Sequence, residues 1–242
     1  EGATKGYFSG RKNKRGRQLG RVVASLYDEI VNEKLYPGSV QLEKNLPDLI
    51  KMAENTLDLT ENRRKKTVLR FDAGGGTDAN INFFLERDYF GITKVKNWQR
   101  TKKLVETVID WQAIPQLPDH DCGWVGQPHD YTRPTRQLAI RWPNKKKGGW
   151  FYCVIVFNLS DELIFELAHW PMPKRYTDLD LISAIVEAYD LRGGGVETSY
   201  KNSKQGIGLL KRNKKSFQAQ EVLVLLAQLA YNITGWVQNE MA

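Results

Sequence analysis

The stretch TVLRFDAGGGTDANINFFLERDYFGITKVK, residues 67–96, constrains the fold more than any other. It opens with a short apolar run closed by Asp72 and glycines, the chemistry of a strand entering a tight turn. DANINFFLERDYF (78–90) then has the length and apolar content of a helix, and GITKVK (91–96) those of a second strand. Strand, helix and strand at this spacing argue for a parallel pair joined by a crossover helix, followed by a further helix over TKKLVETVIDW (101–111). The expected class is α/β.

The flanking sequence adds β and α elements to that unit. RQLGRVVASLYDEIVNEKLYPGS (17–39) is rich in strand formers and ends in a Pro37-Gly38 turn, which reads as two strands. Leu46, Leu49, Ile50, Ala53 and Leu57 recur at helical spacing through 42–58. Residues 112–134 are rich in Pro, Gly and Asp; RQLAIRW (136–142) and WFYCVIVFN (150–158) then bracket KKKGG as a basic hairpin. Leu179, Ile182, Ile185, Val186 and Tyr189 form one helical stripe, and 217–236 reads as a helix long enough to cover a sheet. The expected organisation is a core portion over 1–111, a β-rich insertion over 112–175 and a helical portion of the core over 176–242.

The longest apolar runs, WFYCVIVF and VLVLLAQLAY, fall short of the roughly 18 residues of a membrane span, so no membrane partner is expected. Two cysteines make no disulfide framework, which points to a reducing, cytoplasmic setting. The chain opens at Glu1 with neither Met nor a leader, and reads as a fragment with an internal boundary. Its 36 Lys and Arg against 28 Asp and Glu give a net charge of +8, concentrated in RKNKR (11–15), RRKK (63–66), KKK (145–147) and KRNKK (211–215). A single run of this kind is a solvated face. Four of them, with seven tryptophans and ten tyrosines, favour a polyanionic partner such as DNA, because lysine and arginine displace counterions from phosphates.

Several chemistries compete for the candidate residues. Asp72 falls at the C-terminal end of a strand, where open α/β sheets place their ligands, although an Asp before glycine also simply starts turns. GGGTDA (74–79) fits a dinucleotide fingerprint, but the next strand ends in Lys94 and Lys96 where a ribose-binding acid is needed. His120, Cys122, His129 and Cys153 could be assembled into a zinc site, yet their spacings match no standard ligand pair. No serine or cysteine occupies a nucleophile turn. Trp98, just after the second strand, either packs in the core, its ordinary fate, or stacks on an unpaired base.

Glu197 follows a triple glycine and stands among Arg192, Lys201 and Lys204. On a helix Glu197, Lys201 and Lys204 share one face, with Val196, Tyr200 and Ile207 opposite. A surface i, i+4 pair accounts for part of this. The set Tyr189, Arg192, Glu197 and Lys204 resembles the Tyr-x2-Arg-x3-Glu-x6-Lys signature of bacterial insertion-sequence transposases of the DDE class, with four residues instead of three between Arg192 and Glu197. LRFDAGGGTDANINFFLERDYFGITKVK (69–96) resembles the second-aspartate region of that family, and 204–236 its C-terminal region.

The resemblance implies a ribonuclease H-like core with a β-rich insertion, in which Asp72 and Glu197 are catalytic carboxylates holding two Mg²⁺ or Mn²⁺ ions for cleavage and joining of DNA strands. It implies contacts of Tyr189, Arg192 and Lys204 with DNA, as well as a homodimer in the DNA complex. Lys201, Lys211 and Arg212 are expected to track phosphates on the same basic surface. The family's first Asp lies on a strand before residues 17–36, and no Asp precedes Asp28. The expectation is therefore a truncated transposase that binds metal weakly and cleaves poorly. The alternative expectation is a DNA-binding remnant without catalysis.

Overall fold

The computed structural model describes residues 3–6, 14–205 and 216–241, with the side chains of 192–198 and 204–205 outside that description. In chain order the first elements are β1 (Thr4–Lys5), β2 (Arg15–Ala24), β3 (Glu29–Pro37), α1 (Leu42–Thr56) and α2 (Glu61–Arg64). A second group comprises β4 (Val68–Arg70), α3 (Asp78–Glu86), β5 (Phe90–Lys94), α4 (Trp98–Val105), β6 (Gln112–Ala113) and β7 (Asp121–Trp124). The last elements are β8 (Arg136–Pro143), β9 (Trp150–Phe157), α5 (Asp161–Leu167), α6 (Asp178–Gln205) and α7 (Phe217–Glu240). Among the described residues no helix is long and apolar enough to cross a membrane.

The chain forms two compact units whose limits differ from the three expected segments: one comprises residues 1–60 with 192–242, the other 61–191. The stretch 112–175 is not separate from the α/β unit, because its strands extend the same sheet as β4 and β5. The unit boundary falls at Arg192, inside α6.

The first unit is built on the β2–β3 hairpin, antiparallel with a register shift between Val22 and Val23. Alternation along the strands sends Gly20, Lys34 and Tyr36 to one face and Leu19, Arg21, Glu33 and Leu35 to the other. The first face receives α1, whose Leu46, Leu49, Ile50 and Ala53 are buried. Gly20 makes this possible, since a Cβ there would sit 2.7 Å from the Leu49 side chain. The second face receives α7, with Val224 and Ala227 against Leu35. The helix is fixed in register by Gln228 Nε2 and Asn232 Nδ2, which donate to the Ile30 carbonyl at 3.0 and 2.9 Å.

The second unit carries a six-stranded mixed sheet in the order β4-β5-β9-β8-β7-β6. β4 and β5 are parallel, as the strand-helix-strand spacing predicts, and every other pair is antiparallel. Ile92, Leu138, Ile140, Ile155 and Phe157 pack on Ile164 and Phe165 of α5 and on Leu181, Ile182, Ile185 and Tyr189 of α6. The opposite face takes α3 under β5, where Gly91 lies directly beneath the Phe84 ring. This is a mixed sheet flanked by helices, the coarse architecture that the sequence predicts.

Both cysteines lie in this unit. Burial pushes the Cys122 thiol up to about 12 and the Cys153 thiol up to about 11. Cys122 also donates to the Gln112 carbonyl. At pH 8 each should therefore react with a disulfide reagent at least about 100-fold more slowly than a free cysteine, whose pKa is about 8.5. Both should titrate at the ordinary rate in denaturant. Rapid labelling of the native protein would contradict this account of the core.

Candidate functional site

β4 ends at Arg70, and the chain turns at once through Asp72, Ala73 and Gly74. The Asp72 carboxylate is exposed, and its Oδ1 accepts the Gly74 N–H at 2.9 Å. The turn is held from several sides. Gly75 N–H donates to the Asp72 carbonyl at 3.1 Å, Thr93 Oγ1 donates to the same carbonyl at 3.3 Å, and Lys96 N–H donates to the Gly76 carbonyl at 2.8 Å. Asn80 Nδ2 donates to the Gly75 carbonyl at 2.9 Å, and the Thr77 hydroxyl caps α3 by accepting the Asn80 N–H. The carboxylate is thus displayed at a fixed strand end with Oδ2 turned to no partner in the turn, an arrangement that suits an oxygen ligand for a hard cation.

A cation stands at the neighbouring strand end. Arg70 pairs with Ile92 in the parallel ladder, so Asp72 and Lys94 each lie two residues beyond that pair on adjacent strands. The Lys94 ammonium sits 4.3 Å from the centre of the Tyr189 ring, and Arg70 Nη1 donates to the Ala188 carbonyl at 3.3 Å. These two contacts set the segment of α6 around Tyr189 against the C-terminal ends of β4 and β5. Tyr189 itself is buried. Its ring therefore carries Lys94, a role that the sequence reading did not assign to either residue.

The other expected residues divide by location. α6 is a continuous helix through Gly193, Gly194 and Gly195, where the sequence suggested a tight backbone approach. Arg192, Glu197 and Lys204 lie on its backbone, but their side chains fall outside the described residues. Lys201 is exposed, and Tyr200, on another face of the helix, donates its hydroxyl to the Leu19 carbonyl at 2.8 Å. Lys211 and Arg212 lie outside the described residues altogether. Among the described residues no group of three His, Cys, Asp or Glu side chains could hold a metal ion.

Trp98 is 55% exposed rather than packed in the core, with its ring 6.1 Å from Tyr152. It caps a surface that the sequence did not reveal. On the same sheet face the Arg141 guanidinium is sandwiched between Trp111 and Trp150, at 4.3 and 4.4 Å from the ring centres, and donates to Asp121 Oδ2 at 2.9 Å. On the opposite face His120 stacks on Trp142, which packs on Phe151. There the strands and the basic turn enclose a cleft of about 450 Å³ lined by His120, Trp142, Phe151, Lys145 and Lys146. Three lysines, 145–147, thus top a hairpin that bears aromatic rings on both faces, the combination that grips a phosphate backbone and stacks bases. Arg141 and Trp142 on one strand and Trp150, Phe151 and Tyr152 on the next were the available signal, legible only once the register of β8 and β9 was known.

Fold and site together define a mixed α/β protein with an exposed strand-end carboxylate and a basic, aromatic hairpin. Comparison with protein-family models gives no match, and comparison with curated proteins gives none either.

Proposed function

We propose that this chain is part of a DDE-type DNA transposase that handles DNA strands through bound divalent cations. The observation that carries the reading is Asp72: an exposed carboxylate held in a strand-end turn, with Lys94 at the end of the neighbouring strand. Asp72, with Glu197 as the resemblance implies, would hold Mg²⁺ or Mn²⁺. When bound, such ions activate a water or a 3′-hydroxyl and stabilise the leaving oxygen of an in-line displacement at phosphorus. The chain's own groups do the rest. Lys94, held over Tyr189, supplies positive charge where a phosphate would approach the carboxylate. Lys145, Lys146 and Lys147 track the backbone, and Trp98, Trp150 and Phe151 offer π faces to unpaired bases. The fold expected with this reading is ribonuclease H-like; the parallel β4–β5 pair supports it.

A second reading, a DNA-binding remnant without catalysis, is favoured by one feature: the hairpin surface is complete without any metal. One experiment separates them. Mn²⁺ binding followed by electron paramagnetic resonance should weaken at least tenfold in Asp72→Ala, while anisotropy of a labelled DNA duplex changes less than twofold. The triple variant Lys145→Ala, Lys146→Ala, Lys147→Ala should behave conversely, with the slope of log affinity against log salt falling by about 2 to 3, since each phosphate contact contributes about 0.9. Loss of DNA binding in the triple variant with Mn²⁺ binding indifferent to Asp72 would favour the remnant. Salt-insensitive DNA binding would end both readings.

A further inference from the structure

β8 and β9 outrun the sheet they belong to. Lys94, the last residue of β5, pairs with Ile155, and the Val95 N–H reaches the Val154 carbonyl at 2.9 Å. β8 and β9 stay paired with each other as far as Pro143 and Trp150, four residues past Val154, an overhang of roughly 14 Å. Because β9 runs antiparallel to β5, the overhang stands at the sheet end that displays Asp72 and Lys94. Its tip is closed from within: Asn144 N–H donates to the Gly149 carbonyl and Gly148 N–H to the Asn144 carbonyl, both at 2.9 Å. Asn144 Oδ1 accepts the N–H groups of Lys146 and Lys147 at 3.2 Å, and Lys145 Nζ braces the tip on Asp119 Oδ2 at 3.0 Å. Consecutive residues then send large exposed rings in opposite directions. Trp150, 39% exposed, shares one face with Tyr152 and Trp98; Phe151, 44% exposed, shares the other with Trp142. An antiparallel pair ordinarily buries one face and leaves the other polar.

We propose that the β8–β9 hairpin is a strand-separating wedge, which opens the end of a DNA duplex by taking one strand on each face. The inference rests on the DNA-binding part of the function proposed above. Lys145, Lys146 and Lys147 meet the phosphates where the strands diverge. The first unpaired base of one strand stacks on Trp150 and Trp98, and that of the other stacks on Phe151 at the mouth of the His120–Trp142 cleft. The balance of stacking favours this only with two faces. Each pair opened gives up one step of duplex stacking and gains two bases on rings, each returning free energy of the same order as the step. A wedge must also hold its shape against the duplex, and the bonds within the tip and to Asp119 supply that stiffness. Phosphate binding by the lysines alone would leave the two exposed rings without a role.

The test uses a short duplex with donor and acceptor dyes on the two strands at one end, in EDTA so that no metal-dependent step contributes. Binding of the full chain should lower energy transfer between the dyes at least twofold. An end whose last two pairs are mismatched should bind at least tenfold tighter than a fully paired end, since each step of stacking that need not be broken is worth about tenfold in affinity. The double variant Trp150→Ala, Phe151→Ala should lose both effects, with an unchanged circular dichroism spectrum and less than a twofold change in affinity for the paired duplex. Equal binding of the wild type to both ends with constant energy transfer would overturn the wedge and leave the transposase reading standing, whereas absence of any DNA binding would overturn both. Complete loss in Phe151→Ala with Trp150→Ala indifferent, or the reverse, would show a platform for one strand and overturn the two-faced wedge.

Discussion

Gly76→Ala is expected to destabilise the protein by about 3 kcal/mol and to lower its melting temperature by roughly 10 °C. The reason is steric and lies entirely in backbone. A Cβ on Gly76 would overlap the Lys94 carbonyl oxygen and come within 2.9 Å of its carbon. Neither is the free end of a side chain that could swing away. Relief requires the end of β5 to part from the turn, which stretches the bond from Lys96 N–H to the Gly76 carbonyl and the one from Thr93 Oγ1 to the Asp72 carbonyl. Overpacking of this kind costs about 1–3 kcal/mol and each lost hydrogen bond about 1 more. The same turn displays the Asp72 carboxylate, so under the proposed function Gly76→Ala should also weaken Mn²⁺ binding. Gly235→Ala is the control of opposite sign: nothing lies within 4 Å of a Cβ there, and alanine is favoured over glycine in a helix by about 1 kcal/mol. A scan in which Gly76→Ala melts with the wild type would show that the turn is not pinned against β5.

The requirement at Gly76 marks where sequence reasoning stops. Strand, turn, helix and strand over 67–96 were legible because their residues obey local rules of period and turn chemistry. That the third glycine touches β5 depends on a pairing between residues about 20 apart, which no local pattern encodes. Errors of placement elsewhere have equally specific causes. The helix expected over 101–111 runs instead over Trp98–Val105. Asn97, whose Oδ1 accepts the Arg100 N–H at 3.1 Å, is the cap that starts it, and the apolar Ile109 that suggested a later end is 94% exposed. α5 was overlooked although Ser160 caps it in the usual way by accepting the Leu163 N–H at 3.3 Å. β6 and β7 hide in a stretch rich in Pro, Gly and Asp because each is short and owes its existence to its neighbour in the sheet. The triple glycine of α6 misled in another way. Its helix propensity is poor, about 1 kcal/mol per residue below alanine, yet both flanking segments are anchored, through Tyr189 in one unit and Ser199, Tyr200 and Ser203 in the other. Of the candidate site, Asp72 was legible from its strand-end position, whereas Lys94 on Tyr189 and the stacked Arg141 needed tertiary contacts to appear.

Glu33→Ala should be the most damaging single substitution in the first unit, at about 3–5 kcal/mol. Arg21 and Glu33 face each other across the β2–β3 ladder, and both side chains are wholly buried in an ion pair. The remaining guanidinium donors are spent on α6: Nη1 to Ser199 Oγ at 2.9 Å and Nη2 to Ser203 Oγ at 2.8 Å, with the guanidinium carbon 4.5 Å from the centre of the Tyr200 ring. Removing the carboxylate strands a full positive charge among two hydroxyls and a ring, and that uncompensated charge is the source of the cost. Removing both charges is a different matter. The double variant Arg21→Met, Glu33→Leu keeps the volume apolar and should recover to within about 2 kcal/mol of the wild type in urea denaturation followed by circular dichroism. If the two single substitutions simply added in the double variant, the pair would not be coupled and the guanidinium would not depend on Glu33. The position of α6 follows from the same contacts. Arg21→Lys, which retains the charge beside Glu33 but cannot reach both serines with a planar fork, should fall between the two.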